Sequence, residues 1–494
     1  MTFCRISWVL LISGWLTLSL ACHEVHLDFD SDDGEIALFD DLYSISVIDD
    51  QNAVAVGYYG AAYFTEDGGE TWSKGNTGTR SSLYNVSMAD DKHGWAVGQR
   101  ALLLRTEDGG RTWTQQSTMK DEFSPHFFSV AAIDKDTAWV IGEWGTRMVT
   151  RDAGKTFEDH SFTIDDMHPM FVWLDPPEQD KVRSGEPVFE DVTLSDVQCE
   201  RGDPETVRCW MIGEFGYIYF SEDGGQNWQE SVIDGSATMP LIEIPYNEID
   251  ITQEQIDAVT QFAHEVAPEE HLNVAIESMA SAREIEVLGR GGDPNELFEL
   301  LEARAQDVRV ALEAAEVSTD RVRLRGQPPW DYEDFLKDDP DFLERYFRGR
   351  EKPTGGVALR VIQNPILFTV AFEDENRGLI AGLGGVVMRS EDGGKTWRYR
   401  KMDLQQAVFS AASVDGAAVA IGEKGFFRVS PDSGNTWGYA SDETAPRLFT
   451  FMRDIEFDSE GRVGFIVGQT GTILRSTDAG KKWERVLPPP KGDG

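Results

Sequence analysis

Short apolar runs rich in Val, Ile and aromatic residues recur along most of this chain, separated by turn residues. "LYSISVID" (Leu42–Asp49), "FFSVAAID" (Phe127–Asp134) and "LFTVAFED" (Leu367–Asp374) are examples. β-Branched and aromatic residues in runs this short predict strands rather than helices. A second apolar run follows and closes in Gly-x-x-Gly, as in "AWVIGEWG" (Ala138–Gly145) and "FIVGQTG" (Phe465–Gly471); the copy "WAVGQRA" lacks the last Gly. A third strand leads into a polar octapeptide and a fourth leaves it, so the pattern predicts four strands per unit.

The octapeptide sets the phase. Its form is [Ser/Thr]-x-Asp-x-Gly-x-x-aromatic, as in "SEDGGKTW" (Ser390–Trp397), and it occurs seven times. The Asp and aromatic positions are Asp67 and Trp72, Asp108 and Trp113, Asp152 and Phe157, Asp223 and Trp228, Asp392 and Trp397, Asp432 and Trp437, and Asp478 and Trp483. Most steps are about 40 to 46 residues, a period typical of arrays and propellers. Seven units of four strands predict an all-β fold, a seven-bladed β-propeller of four-stranded antiparallel blades. The chemistry of the octapeptide is that of a fastener. Its Asp is expected to accept from backbone N–H groups two residues on, and its Gly to adopt positive φ. The Ser or Thr can bond back across the hairpin, while the aromatic side chain buries itself between blades. No nucleophile–base pair is present, and a catalytic reading would need seven active sites in one enzyme.

Two stretches break the period. Between Asp223 and Asp392 the pattern predicts a mainly helical insertion between blades 4 and 5, over 233–353. Thr252 and Gln255 occupy capping-box positions ahead of an apolar stripe at Ile256, Val259, Phe262, Ala263 and Val266. Asp293, Pro294 and Glu296 start a second helix with Leu297, Leu300, Leu301, Val308 and Leu312 on one face. A third stretch is acidic and aromatic, and its Trp330, Tyr332, Phe335 and Tyr346 are candidate partner-binding residues, helix-core packing being the alternative. A smaller loop insert at about 161–187 contains "MHPMFVWLDPP" (Met167–Pro177), where Phe171 and Trp173 either pack beneath the loop or join a binding face. The domain reading is therefore a signal peptide (1–21), a tether (22–40), blades 1–4 (41–232), the acidic insertion (233–353), blades 5–7 (354–488) and a tail (489–494).

The N-terminus adds export. Arg5 precedes a short apolar core and "SLAC", which reads as a secretory signal peptide. Ser19-x-Ala21 suits an ordinary cleavage site, and "LSLAC" also resembles a bacterial lipobox with Cys22 as the lipid-attachment residue, departing from it at Ser19 where Leu is usual. A periplasmic or cell-envelope location with a lipid anchor is expected. Cys199 and Cys209 flank a Gly-Asp-Pro turn, and the hairpin would bring them together as a disulfide in an oxidising compartment; reduced core cysteines are the alternative. No further Cys or His nearby completes a zinc set, so no metal and no cofactor are expected. The formal net charge is −42, which opposes binding to nucleic acid and to an anionic lipid surface.

The octapeptide resembles the Asp-box, or bacterial neuraminidase repeat. With Gly-x-x-Gly before the box, the unit is similar to that of the photosystem II stability/assembly factor family, over roughly residues 40–230 and 355–487. The resemblance implies a non-catalytic, exported, often lipid-anchored propeller that helps membrane-protein subunits assemble. Its partners would be membrane protein subunits of an assembling complex, a photosystem or another membrane machine such as a transporter, with the chain itself a monomer. A basic patch contributes to partner binding in that family, and no equivalent is placed on this acidic sequence. The alternatives are an Asp-box glycoside hydrolase of sialidase type and a passive ligand-binding or adhesion propeller. The sialidase Phe-Arg-Ile-Pro segment is absent; "IEIPYNE" (Ile242–Glu248) lacks its Arg.

Overall fold

A computed structural model of the chain describes residues 40–486, apart from 119–123, 167, 169–170, 172–173, 202–205, 235–238, 240, 268–272, 290–291, 327–353, 363–364 and 401–405. Each octapeptide lies in its own antiparallel meander, giving seven such sheets among the described residues. Their first strands are Leu42–Val47, Leu83–Met88, Phe127–Ala132, Leu194–Arg201, Leu367–Phe372, Val408–Val414 and Met452–Phe457. The sheets are numbered 1 to 7 in that order below. Six have four strands; sheet 5 gains a fifth, Val232–Asp234, which pairs in parallel with Thr396–Tyr399.

The burial of each strand follows from its place in the meander. Five of the seven second strands, such as Ala138–Gly142 and Gly464–Gly468, are buried at every residue, and the other two are half-buried only at their start. They are packed on both faces by neighbouring sheets, so they read as continuous apolar runs rather than as alternation. The fourth strands are mostly two exposed residues, such as Ser73–Lys74, at the outer rim.

The first strands contact one another in sheet order, and the strand of sheet 7 contacts that of sheet 1, so the sheets close on themselves as a β-propeller. Among the described residues no strand is shared across the closure: sheet 1 comes wholly from the N-terminal side and sheet 7 wholly from the C-terminal side. Side chains seal it. Leu42, Ile45, Tyr63 and Trp72 share one apolar cluster with Phe465, Val467 and Ile473, and Trp72 meets Phe465 edge-on at 5.9 Å.

The long insertion combines the expected helices with a sheet that the sequence reading did not include. Ile242–Glu243, Gly356–Ile362, Asn273–Met279 and Val322–Gly326 form a mixed sheet in that order. The helices α2 (Gln253–Val266) and α4 (Pro294–Ala314) pack against it, and α3 (Ala282–Gly289) packs on α4. The sheet runs on to Ile362, beyond the 353 limit taken from the sequence. The helix ends match expectation: α2 has the Thr252–Gln255 capping box, and Val259, Phe262, Ala263 and Val266 are buried. The smaller insert holds α1 (Pro176–Ser184), capped by the Asp175 carboxylate, beside a two-stranded pair.

Candidate functional site

The octapeptides are built as closed turns. In all seven, the Ser or Thr hydroxyl donates to the Asp Oδ1 at 2.8–3.1 Å and accepts from the second box Gly N–H at 2.8–3.0 Å. The Asp Oδ1 accepts from the N–H four residues on, at 2.8–2.9 Å, and not two residues on as expected from a simple Asx turn. Partial burial pushes these carboxyls up, but the hydrogen bonds outweigh it and hold Asp67, Asp108, Asp223, Asp392 and Asp432 below the usual range. Trp113, Trp397, Trp437 and Trp483 each donate Nε1–H to the box Gly carbonyl at 3.0 Å. These groups are spent within the turn, so the box is construction.

The channel is different. It has a volume of about 1170 Å³ and is lined by the first strands. The third residue of each strand is polar, and in six of the seven it reaches to the next sheet. Ser44 accepts from Val86 N–H (3.3 Å), Asn85 from Val130 (3.0 Å), Ser129 from Val197 (3.2 Å) and Asp196 from Val370 (2.9 Å). Ser410 accepts from Ile455 (3.3 Å), and Asp454 from Ile45 (3.0 Å) across the closure. This belt joins six of the seven sheet junctions by satisfying backbone donors that the meanders leave unpaired. Several carboxyls line the channel, Asp196, Asp454 and Glu456 among them. Burial pushes Asp196 up to about 6, with the Asp454 charge adding to it against hydrogen bonds from Val370 and Ser129. Burial also raises Asp454, and raises Glu456 further with help from the Asp454 charge.

One mouth of the channel is aromatic. The second residue of the first strands is Tyr43, Tyr84, Phe128, Ser195, Phe368, Phe409 and Arg453 in turn. Ring centroids lie 6.1 Å apart for Tyr43–Tyr84, 5.5 Å for Tyr84–Phe128 and 5.9 Å for Phe368–Phe409. The Arg453 guanidinium lies 4.7 Å from the Phe409 centroid and 5.8 Å from that of Tyr43, joining the two arcs. Ser195 leaves the only gap in the sequence of large side chains; its hydroxyl donates to Leu367 O at 2.6 Å. The Gly-x-x-Gly turns surround this same mouth, since Tyr58, Gln99 and Leu383 donate their N–H groups to Asp41, Ser82 and Ile366 just ahead of the first strands. The boxes lie at the other end, beside the turns between first and second strands: Gly68 and Gly109 N–H donate to Gln51 and Lys92 O.

A family model described as photosynthesis system II assembly factor YCF48 matches residues 74–164 and 354–444, which take in sheets 2, 3, 5 and 6 on either side of the insertion. Over those two stretches the chain is similar to photosystem II assembly factors. Photosystem II assembly lipoprotein Ycf48 of Synechococcus sp. (strain CC9902) is 26% identical over 135 residues, and the match spans 27% of this chain and 27% of that relative. Among solved structures, YCF48 bound to D1 peptide aligns at 15% identity, covering 83% of each chain, with a TM-score of 0.43. YCF48 from Cyanidioschyzon merolae aligns at 13% identity over 90% of this chain and 97% of its own, with a TM-score of 0.47.

In this propeller the sequence-predicted site residues fall in different places. Phe171 is buried, with the Arg183 guanidinium 5.7 Å from its ring centroid, so it packs beneath the loop and offers no binding face. Trp173, Trp330, Tyr332, Phe335, Tyr346 and Cys22 lie outside the described residues. Cys199 and Cys209 are directly opposed in sheet 4 with their sulfurs 2.04 Å apart, a disulfide. No cluster of three or more His, Cys, Asp or Glu with metal-holding geometry occurs among the described residues. No helix among them is long and apolar enough to cross a membrane. The aromatic mouth was missed, although its signal lay in the second position of the first strands.

The channel carboxyls predict an unusual acid profile. A folded-state value near 6 for Asp196, above its unfolded value, means that the folded chain holds the extra proton between about pH 4 and 6. That contribution to stability is present below the window and is lost as pH rises through it. The box carboxyls act oppositely, losing their contribution only as pH falls below about 4. Denaturant unfolding at pH 4.5 and 6.5 should show a decline for the parent chain and a smaller one for Asp196→Asn. Equal declines would remove Asp196 as a source.

Proposed function

We propose that this chain is a non-catalytic, exported scaffold for the assembly or stability of a membrane protein complex, built as a closed seven-bladed propeller with one blade per box. The observation that carries this reading is the assembly-factor match on both sides of the insertion. The use of the channel carboxyls supports it: Asp196 and Asp454 serve inter-sheet N–H groups, a structural task that competes with acid–base work on a substrate. The partner is a membrane protein subunit, and the insertion is the element that distinguishes this scaffold from a plain propeller, since additions to rigid frames carry specificity. Cys22 is the lipid-attachment residue that keeps the propeller at the membrane.

Affinity capture from solubilised membranes tests this with the full chain and with a variant in which residues 235–363 are replaced by a short linker. A membrane protein should co-purify with the full chain and be depleted in the variant. Co-purification with neither, or turnover of a fluorogenic sialoside abolished by one carboxyl substitution, would replace this reading by the adhesion or the glycosidase one.

A further inference from the structure

The Gly-x-x-Gly turns hold their third residue at positive φ, and the occupants are unusual. Tyr59 (57°), Trp144 (52°) and Phe215 (58°) are aromatic, and Arg100 (56°) and Lys424 (53°) are basic. A bulky side chain in the left-handed region is strained, and Gly or Asn would be favoured there. The turn does not require bulk, because Gly384 and Thr470 occupy the same position in sheets 5 and 7. Nor do these side chains serve the core: Tyr59 is 51% exposed and Phe215 53%, with Tyr58 beside them at 53%. Neither Arg100 nor Lys424 makes an ion pair with a carboxylate among the described residues. The turns occupy equivalent places in successive sheets, so they present their side chains at one level around the aromatic mouth.

Aromatic residues interspersed with Arg and Lys at one level are the composition of a surface lying in the membrane–water interface. The arrangement fits a plane better than a groove, because the bulky tips stand on separate sheets around the rim. The chain reaches the same face. Asp40 and Asp41 precede the first strand there, and Asp40 O accepts from Gly471 N–H. The residues between Cys22 and Asp40 can span at most about 60 Å, at roughly 3.3–3.6 Å each. An acyl group at Cys22 would keep this face within that distance of a bilayer. The acidic turns between first and second strands, with Asp49, Asp90, Asp134 and Asp374, lie at the opposite end, and the acids of the Gly-x-x-Gly turns themselves, Glu143, Glu214 and Glu423, are half-buried, with Glu143 and Glu214 accepting from His126 and Thr193 N–H.

We propose that the face carrying the Gly-x-x-Gly turns docks on the headgroup layer of a lipid bilayer, with Tyr58, Tyr59, Trp144 and Phe215 entering it. This goes beyond the assembly reading and does not depend on it. The test uses the chain from His23 to Gly494, which has no acylation site and keeps the compact unit Ala37–Gly494. It should co-sediment with phosphatidylcholine vesicles, which carry no net charge to repel this acidic chain. Tyr59→Ser with Phe215→Ser should lower the partition coefficient about tenfold or more, from the loss of two interfacial aromatics. Tyr439→Ser, an exposed aromatic on the outer strand of sheet 6, should leave it unchanged. Circular dichroism and melting of each variant separate lost docking from lost fold. Failure of the parent chain to sediment, or equal sedimentation of the double variant, overturns the proposal. Loss of subunit capture by the double variant without any vesicle binding would assign the face to a protein partner instead and also overturn it.

Discussion

Gly225→Ala is expected to destabilise the propeller by about 3–5 kcal/mol, combining the left-handed backbone penalty with overpacking of a rigid core ring. Gly225 has φ +85°, and a Cβ there would lie 2.4 Å from Trp139 Nε1 and 2.5 Å from its Cε2. Trp139 belongs to the second strand of sheet 3, whereas Gly225 belongs to the box of sheet 4. The ring cannot retreat: it is wholly buried, donates to Gly224 O at 3.0 Å and meets Trp228 edge-on at 5.5 Å. The neighbouring Gly224→Ala is the control. Its φ is +70°, but its Cβ would meet Val207 at an ordinary 3.5 Å. Other boxes place Ala153, Ser433 and Ala479 at that position with positive φ. About 1 kcal/mol is expected for it. Denaturant unfolding of both variants decides the matter, and losses within 1 kcal/mol of each other would reject the second box Gly as an inter-sheet socket.

Arg304→Met should be comparably damaging, but only to the insertion. Arg304 is fully buried on α4 and holds both oxygens of Glu284, at 2.8 and 3.3 Å. It also donates to Glu248 O at 2.8 Å and Pro245 O at 3.1 Å, tying α4 to the segment after the first strand of the insertion. Burial pushes the Glu284 carboxyl up, yet Arg304 and the N–H groups of Ser281 and Asn247 outweigh it and keep it low. Removing the guanidinium leaves an uncompensated buried charge, at a cost of about 3–5 kcal/mol. Hydrogen exchange should show protection lost across α2, α4 and their sheet, with the first strands of the propeller unchanged. Adding Glu284→Gln should recover part of the loss, since it removes the stranded charge. Undiminished protection of α4 in Arg304→Met would show that the pair does not hold the insertion together.

These two variants also mark where the sequence could be read and where it could not. The box repeat announced itself because its chemistry is local. Ser390, Asp392 and Gly394 bond within five residues of each other, so spacing alone displays the turn. Thr252 with Gln255, and Pro294 at the head of α4, were legible for the same reason. The requirement for Gly225 was only half visible. Its positive φ belongs to the turn, but the ring that excludes a Cβ comes from another sheet.

The strands of the insertion hid behind non-local pairing. Asn273–Met279 finds one partner in Val322–Gly326 and another in Gly356–Ile362, so nothing near it in sequence signals a sheet, whereas the capped helices beside it advertise themselves. By itself, the sequence determined the repeat, its phase and the turn that closes each unit, because those depend on bonds between close neighbours. Only the tertiary structure decided which side chains meet across sheets: the polar belt that joins Asp454 to Ile45, the buried position of Phe171, and the gathering of Tyr59, Trp144 and Phe215 at one mouth. Those juxtapositions arise from closing distant segments into a ring, and a linear pattern carries no record of which of its equivalent positions will face solvent together.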